Sequence, residues 1–137
     1  MHLEFVVLGP PISNQQRNPQ GKANLATWRA TVAGEAQTQW ANPILTANLK
    51  AVIINFHAGN RPSLDLDNMS KPILDVMEKI IYRNDRQVVQ VALIHVQIGA
   101  SFSIAGASKV LVAAIRAGSQ FVYVRIEDRL DPFSLPK

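Results

Sequence analysis

The sequence predicts an α+β fold, in which a mixed sheet of about four strands packs with roughly two or three helices. Short runs rich in Val, Ile and Phe alternate along the chain with longer stretches whose apolar residues recur at spacings of three and four. The length of 137 residues and the hydrophobic content of 47% are enough for one substantial core. We therefore expect residues 1–137 to form a single domain.

The strand-like runs cover residues 3–8, 49–57, 88–98 and 121–127. The first run stops abruptly at Gly9-Pro10-Pro11, which breaks regular structure. In the last run, Val122, Val124 and Ile126 alternate with more polar residues, which predicts that one face of this strand is buried.

Two stretches have the apolar spacing of a helix with one buried face. The first begins at Asn24, a suitable N-cap, after a polar loop over residues 12–23. Its apolar positions are Leu25, Trp28, Val32, Ala36 and Trp40. Those of the second helix are Met69, Ile73, Val76, Met77 and Ile80. Pro72 must lie near the first turn of the second helix or kink it, because proline donates no backbone hydrogen bond.

Residues 109–117 fit either a third helix or a strand. Ser108 as N-cap and Gly118 as terminator favour the helix, whereas the run Val-Leu-Val also suits a strand. The tail over residues 131–137 is rich in proline and is expected to be frayed.

Composition and charge exclude several functional classes. The chain has no cysteine, which excludes disulfides, thiolate nucleophiles and zinc sites built on sulfur. No stretch approaches the ~20 apolar residues of a membrane helix, and Glu4 interrupts the region where a signal peptide is apolar. We therefore expect a cytoplasmic protein with no membrane partner. The net charge of +4 and the sequence pI near 9.8 favour a polyanionic partner, first of all nucleic acid.

The three histidines, His2, His57 and His95, are scattered along the chain. His57 and His95 each lie inside an apolar, strand-like run. A core or sheet-surface role is favoured over metal ligation for both, because isolated histidines in such runs are usually structural.

The most informative segment runs from Asp65 to Asp85. Asp65 and Asp67 are two residues apart at the junction of a loop and the second helix, so in an extended conformation both carboxylates point the same way. Two unpartnered carboxylates repel each other, and a divalent cation relieves that repulsion. Hard oxygen ligands suit Mg²⁺, with Mn²⁺ as an alternative.

Lys71 and Asp85 extend this pattern. Lys71 follows Asp67 by four residues, which on a helix places its ammonium group on the same face, within reach of a phosphate. Asp85 lies in a polar turn before the third strand, from which folding back brings a third carboxylate towards the metal. The spacing alone also fits a structural interpretation, in which Lys71 pairs with Asp67 or Asp75 and the other aspartates cap the helix or shape the turn.

The order of these residues resembles the RusA family of Holliday-junction resolvases, whose pattern is D-x-D-N-x-x-K, a helix, and a D-D-x-Q-[VI] turn. The matching residues are Asp65-Leu66-Asp67-Asn68-Met69-Ser70-Lys71, then Asp75, then Asn84-Asp85-Arg86-Gln87-Val88. Pro10-Pro11, followed by Asn14 and Arg17, is similar to the N-terminal loop of that family. The resemblance therefore extends from the N-terminal loop to the third strand.

The resemblance implies a mixed α/β homodimer that binds branched DNA, namely four-way junctions, and makes paired nicks with Mg²⁺. Asp65, Asp67 and Asp85 match the family's metal-binding carboxylates. Lys71 matches its catalytic lysine. The chain departs from the pattern in two places: Asn84 replaces the first aspartate of the D-D pair, and residues 101–120 are longer than the expected hairpin. An asparagine still offers a carbonyl oxygen to a metal, with lower affinity.

The expected activity is Mg²⁺-dependent phosphodiester hydrolysis, with no small-molecule cofactor and one active site in each subunit. Recognition is expected to depend on branch shape and phosphate contacts. The candidate phosphate contacts are Arg17, Lys22, Arg61, Lys79, Arg83 and Arg86. Two alternatives remain open: a junction-binding protein with weakened catalysis, as Asn84 suggests, and a metal-dependent nuclease acting on other branched DNA or on RNA.

Overall fold

A computed structural model describes residues 1–99 and 104–129 of the chain. In chain order, the elements are β1 (Leu3–Leu8), α1 (Pro19–Gln39), β2 (Leu49–His57), α2 (Leu66–Met77), a short 3-10 helix (Asp85–Gln87), β3 (Val88–Gln97), α3 (Lys109–Ala117) and β4 (Phe121–Asp128). The strands form one mixed sheet in the order β1-β4-β2-β3, in which only β2 and β3 pair in parallel among the described residues. The predicted α+β fold class is confirmed, and each strand boundary lies within one residue of its prediction.

Helices cover both faces of the sheet. α1 and α2 pack on one face over the main core, and α3 packs on the other face over a smaller cluster in which Phe56 and Phe121 stack. The prediction of a single buried face for β4 is therefore wrong. Val122 and Val124 contribute to the main core, whereas Phe121 and Tyr123 are buried beneath α3. The alternation of apolar and polar residues within β4 cannot show that another element, here α3, packs on the second face of the strand.

Helix α1 begins at Pro19, more than one turn before the predicted start at Asn24. The N-cap is Asn18, whose side-chain oxygen accepts a hydrogen bond from the N–H of Gly21 at 2.7 Å. Pro19 takes the first helical position, where its missing N–H has no helical partner to lose. The first turn was not predicted because its residues face away from the core and add nothing to the apolar spacing. Lys22 therefore lies on the helix and not in the predicted loop.

Helix α2 spans Leu66–Met77, with Asp65 as its N-cap residue. The prediction that Ile80 continues the helix is wrong, because the chain leaves the helical path before it. Lys79 has a φ of 70°, in the left-handed region that commonly follows the end of a helix.

Pro72 lies inside α2, beyond its first turn, so the first of the two positions that the sequence allowed for it is not the one observed. A proline at this position cannot donate to the carbonyl of Asn68, four residues earlier. The N–H of Asn14 donates to that carbonyl instead, at 2.9 Å. The N-terminal loop is thereby fixed to the start of α2.

Residues 109–117 form a helix, so the strand alternative is wrong. Ser108 accepts a hydrogen bond from the N–H of Leu111, and Gly118 ends the helix with a φ of 80°, as the capping pattern indicated. The hydroxyls of Ser108 and Tyr123 both donate to Glu4 Oε2, at 2.7 and 2.6 Å. These two bonds connect the start of α3 to β1 and β4.

The long segment over residues 101–120 contains α3, and its first part, residues 101–103, lies outside the described residues. The tail over residues 131–137, predicted to be frayed, also lies outside them. Within the described ranges, no helix combines the length and apolar character needed to cross a membrane.

Candidate active site

Two aspartates lie exposed at the N-terminal end of α2. Asp65 is the N-cap residue, and Asp67 lies in the first turn, where the positive end of the helix dipole favours carboxylates. Asp65 makes no side-chain capping hydrogen bond. Across residues 1–99 and 104–129, neither carboxylate takes part in a salt bridge. The pair is therefore available to a ligand.

Both aspartates line an open cavity of about 440 Å³ formed by residues 61–67, with Arg61 on its wall. Asp65 also lines a second cavity of about 430 Å³, between α2 and the N-terminal loop. The loop residues of this second cavity are uncharged: Pro11, Ile12, Ser13, Gln15 and Gln16. The two cavities share residues 63–65, so Asp65 lies where they meet.

The predicted catalytic lysine lies one turn further along α2 and lines a different cavity. Lys71 Nζ is 3.2 Å from a carboxylate oxygen of Asp75, and the lysine side chain is 59% exposed. Both residues line a cavity of about 220 Å³ together with Asp85. The structural pairing that the spacing allowed is thus observed with Asp75. Because Asp67, Lys71 and Asp75 follow at intervals of four, they form a stripe along one face of α2.

Asp85 is held by a hydrogen-bonded turn. Asn84 Oδ1 accepts from the N–H of Arg86 at 2.9 Å and caps the short 3-10 helix. The Gln87 side chain accepts from two backbone N–H groups of the same turn and donates to two carbonyls in the segment before β2. The asparagine that departs from the family pattern therefore uses its oxygen for capping, and Gln87 fixes the turn that carries Asp85.

The carboxylates fit a divalent cation as a pair. Asp65 and Asp67 present exposed oxygen donors on one cavity, which suits Mg²⁺. Asp85 lines the other cavity, and in the described part of the chain no three His, Cys, Asp or Glu side chains converge on a single metal position. The assignment of Asp85 as a third ligand stays a prediction.

The predicted DNA contacts are all exposed: Arg17, Lys22, Arg61, Lys79, Arg83 and Arg86. Within the described ranges, none of them forms a salt bridge. Arg61 shares a cavity with the two aspartates, whereas the last three follow α2 near the turn of Asp85. The cations therefore flank the acidic residues at both ends of α2 without neutralising them.

Sequence reasoning missed three polar contacts that surround this region. Arg29 Nη2 donates to Asn14 Oδ1 at 3.0 Å, and His95 lies within hydrogen-bonding distance of both Asn55 and the Leu64 carbonyl. Nothing in the helical spacing singles out Arg29. Asn55, in contrast, is a polar residue that interrupts the apolar run over residues 51–56, which is a usable signal of a specific partner.

Comparison with known proteins finds that the family model of endodeoxyribonuclease RusA matches residues 10–101. The matched segment includes the N-terminal loop, the two cavities that meet at Asp65, and the turn that contains Asp85. Helix α3 and strand β4 lie beyond it. No curated protein matches the chain.

Proposed function

Because the match covers more than half of the chain, the protein belongs to the RusA family of endodeoxyribonucleases, and we propose that it resolves four-way (Holliday) DNA junctions by paired, Mg²⁺-dependent nicks. The observation that carries the proposal is the pair of exposed carboxylates, Asp65 and Asp67, on one cavity inside the matched segment. Metal-assisted phosphodiester hydrolysis uses such oxygen ligands.

Asp65 and Asp67 would hold the Mg²⁺ ion, and the family pattern adds Asp85 as a further ligand. When bound, Mg²⁺ supplies positive charge that polarises the scissile phosphate and acidifies a neighbouring water. The contribution of the chain is to present two carboxylates at a helix N-terminus, where the helix dipole reduces the cost of placing two like charges close together.

Lys71 would stabilise the negative charge that develops on the phosphoryl oxygens. It lies on the same face of α2 as Asp67, one turn away, and its pairing with Asp75 is largely exposed. An exposed pair of this kind contributes little to stability, so Lys71 can exchange Asp75 for a phosphate at small cost.

The unpaired cations at both ends of α2 support contacts to DNA phosphates. The uncharged loop between Pro11 and Gln16 forms one side of the cavity beside Asp65 and suits the less charged parts of a nucleotide. We therefore propose that a single DNA strand passes across the N-terminal end of α2, with its backbone between these cations.

A homodimer would provide two identical sites for the two opposite strands of a junction. β3 is an edge strand of the sheet in the described residues, and three of its apolar side chains, Val89, Val91 and Ile94, are between 43% and 48% exposed. Exposed apolar edge strands readily pair with other chains. This edge supports a dimer that buries β3.

The test of the proposed function is cleavage of a synthetic four-way junction with Mg²⁺ and with a chelator. We expect two symmetrically placed nicks, only with the metal. Linear duplex, flap and RNA substrates of matched length are the controls. Equal or faster cleavage of a flap or of RNA would indicate a different nuclease, and metal-independent junction binding without cleavage would indicate a binding protein.

The oligomeric state is tested separately by light scattering, where we expect twice the 15.1 kDa mass of the chain. Ile94→Lys places a charge on the β3 edge and should shift the protein towards the monomer. Lys109→Ala, on α3, is the control. A parent protein that stays monomeric with junction DNA added would refute the dimer.

A further inference from the structure

A partly buried polar network lies towards the carboxyl ends of the parallel strands β2 and β3. Asn55 of β2 is the register partner of His95 of β3, and Asn55 is only 1% exposed. By strand alternation, Asn55 continues the face of Ala51 and Ile53, which belong to the main core. A buried amide on an apolar face needs a hydrogen-bond partner. The proposed reaction uses neither Asn55 nor His95.

The hydrogen bonds define where the His95 ring carries its proton. Asn55 Nδ2, which can only donate, lies 3.1 Å from His95 Nδ1, so Nδ1 accepts. In the neutral ring the proton is then on Nε2, which lies 3.2 Å from the Leu64 carbonyl oxygen and donates to it. Burial, the largest cause, lowers the pKa of His95; the hydrogen bond to the Leu64 carbonyl acts in the opposite direction, and His57 and Arg61 lower the pKa further.

The reversed Asn55 amide would not satisfy both contacts. In that orientation the Asn55 carbonyl oxygen would face His95 Nδ1, so Nδ1 would have to carry the proton. His95 Nε2 would then face the Leu64 carbonyl oxygen as an acceptor against an acceptor, with no hydrogen bond between them. The observed orientation is retained although Asn55 Oδ1 is buried without a hydrogen-bond partner among the described residues.

The network reaches the residue that precedes the acidic pair. Leu64 is followed directly by Asp65, and both residues line the two cavities that meet there. On the helix side, the Asp65 carbonyl accepts from the N–H of Met69 at 2.9 Å. Asp65 is therefore held between the first turn of α2 and the Leu64 carbonyl, which His95 connects to the sheet.

We propose that His95, oriented by Asn55, is a positioning residue that holds the Leu64 carbonyl and thereby fixes Asp65 and Asp67 for cation binding. This inference rests on the proposed function, in which those carboxylates hold the metal. Two like charges bind a cation best when the backbone that carries them is already in place. Groups that orient metal ligands in this way contribute strongly to metal affinity in other proteins.

The variants separate the hydrogen bond from the volume of the ring. His95→Leu fills the space without a donor, whereas His95→Gln keeps a donor for the Leu64 carbonyl. Gln97→Ala changes an exposed residue of the same strand and is the matched control. Three quantities are measured: the Mn²⁺ affinity by calorimetry, amide hydrogen exchange at residues 64–67 in metal-free protein, and the Mg²⁺ concentration for half-maximal junction cleavage.

For His95→Leu we expect about tenfold weaker Mn²⁺ binding, faster exchange at residues 64–67, and a similar increase in the Mg²⁺ requirement. His95→Gln should recover most of each change, and Gln97→Ala should show none. In the parent protein, ¹⁵N NMR should find the His95 proton on Nε2. The NMR measurement needs no variant, so it decides the orientation even where His95→Leu fails to fold.

Parent-like Mn²⁺ affinity and exchange in His95→Leu would overturn the inference, as would a His95 proton on Nδ1. A parent protein that cleaves no junction would contradict the proposed function. The Mn²⁺ titration and the exchange data would still test the positioning role of His95, so the two failures are distinguishable.

Discussion

The N–H of Asn14 donates to the carbonyl of Asn68, the acceptor that Pro72 leaves without its helical donor. The side chain of the same asparagine accepts from the Arg29 guanidinium. Asn14 thus joins the N-terminal loop to α2 through its backbone and to α1 through its side chain. The loop side of the cavity beside Asp65 is built on this connection.

Asn14→Ala should lower the free energy of unfolding by about 1 kcal/mol, because it removes only the acceptor of Arg29. Asn14→Pro also removes the N–H and should lower the free energy of unfolding by a further ~1–2 kcal/mol. In a Pro72→Ala background the loss caused by Asn14→Pro should be smaller, since the alanine N–H can then serve the Asn68 carbonyl. Urea denaturation measures each value, and equal losses in both backgrounds would disprove the connection.

Asp67→Asn should abolish junction cleavage while leaving folding and junction binding intact, because it removes a ligand charge and almost no volume. Fluorescence anisotropy measures binding, and single-turnover assays measure cleavage. Asp128→Asn, at the end of β4, is the matched control and should cleave like the parent. Full cleavage by Asp67→Asn would remove this residue from the site.

Lys71→Ala should reduce the single-turnover cleavage rate by about a hundredfold or more if its charge stabilises the transition state. Its effect on stability should be at most ~0.5 kcal/mol, because its pair with Asp75 is largely exposed. Lys71→Arg should recover only part of the rate, since a planar guanidinium does not occupy the position of a compact ammonium. A rate within about threefold of the parent at saturating protein and Mg²⁺ would mean that Lys71 is structural.

Alkaline pH should destabilise the fold through Tyr123. Burial, assisted by the neighbouring Glu4, raises the pKa of Tyr123 from 10.0 to about 12. Because the folded state holds this proton more tightly, the associated stability is fully present below pH 10 and is lost as the pH rises towards 12. Burial also raises the pKa of Tyr82, which loses stability in the same direction.

Tyr123→Phe should therefore be less stable than the parent at neutral pH, where Glu4 loses a donor, but should lose less stability on going to pH 12. Urea denaturation at several pH values between about 9 and 12 measures this difference. An unchanged pH dependence in Tyr123→Phe would show that the tyrosine does not titrate as described.

Much of the local structure was predictable from the sequence because it depends on neighbouring residues. The strands over residues 3–8 and 49–57 were predicted from the density of β-branched and aromatic side chains, and the structure has the same boundaries. Ser108 and Gly118 correctly indicated both ends of α3, because capping depends on a few consecutive residues. The start of α1 was missed because Asn18 and Pro19 form a cap on a turn without an apolar face.

The candidate site was predictable only in part. The order of Asp65, Asp67 and Lys71 along the chain indicated an acidic pair at a helix start and a lysine one turn later, and the structure has that arrangement. The partner of Lys71 was left open by the spacing, because Asp67 and Asp75 are equally distant in sequence. The structure pairs it with Asp75 and gives Asp85 a different cavity from that of the acidic pair.

By itself, the sequence determined the four strands to within one residue, the positions of α1 and α2 without their exact ends, the acidic start of α2, and membership of a nuclease family. Only the tertiary structure decided that Asn14 serves the carbonyl exposed by Pro72, that α3 buries the second face of β4, and that His95 connects Leu64 to the sheet. The reason is physical: helix caps and strand runs arise from contacts between near neighbours. The partner of a buried donor or acceptor depends instead on which distant segment the packing of the whole chain brings within hydrogen-bonding distance.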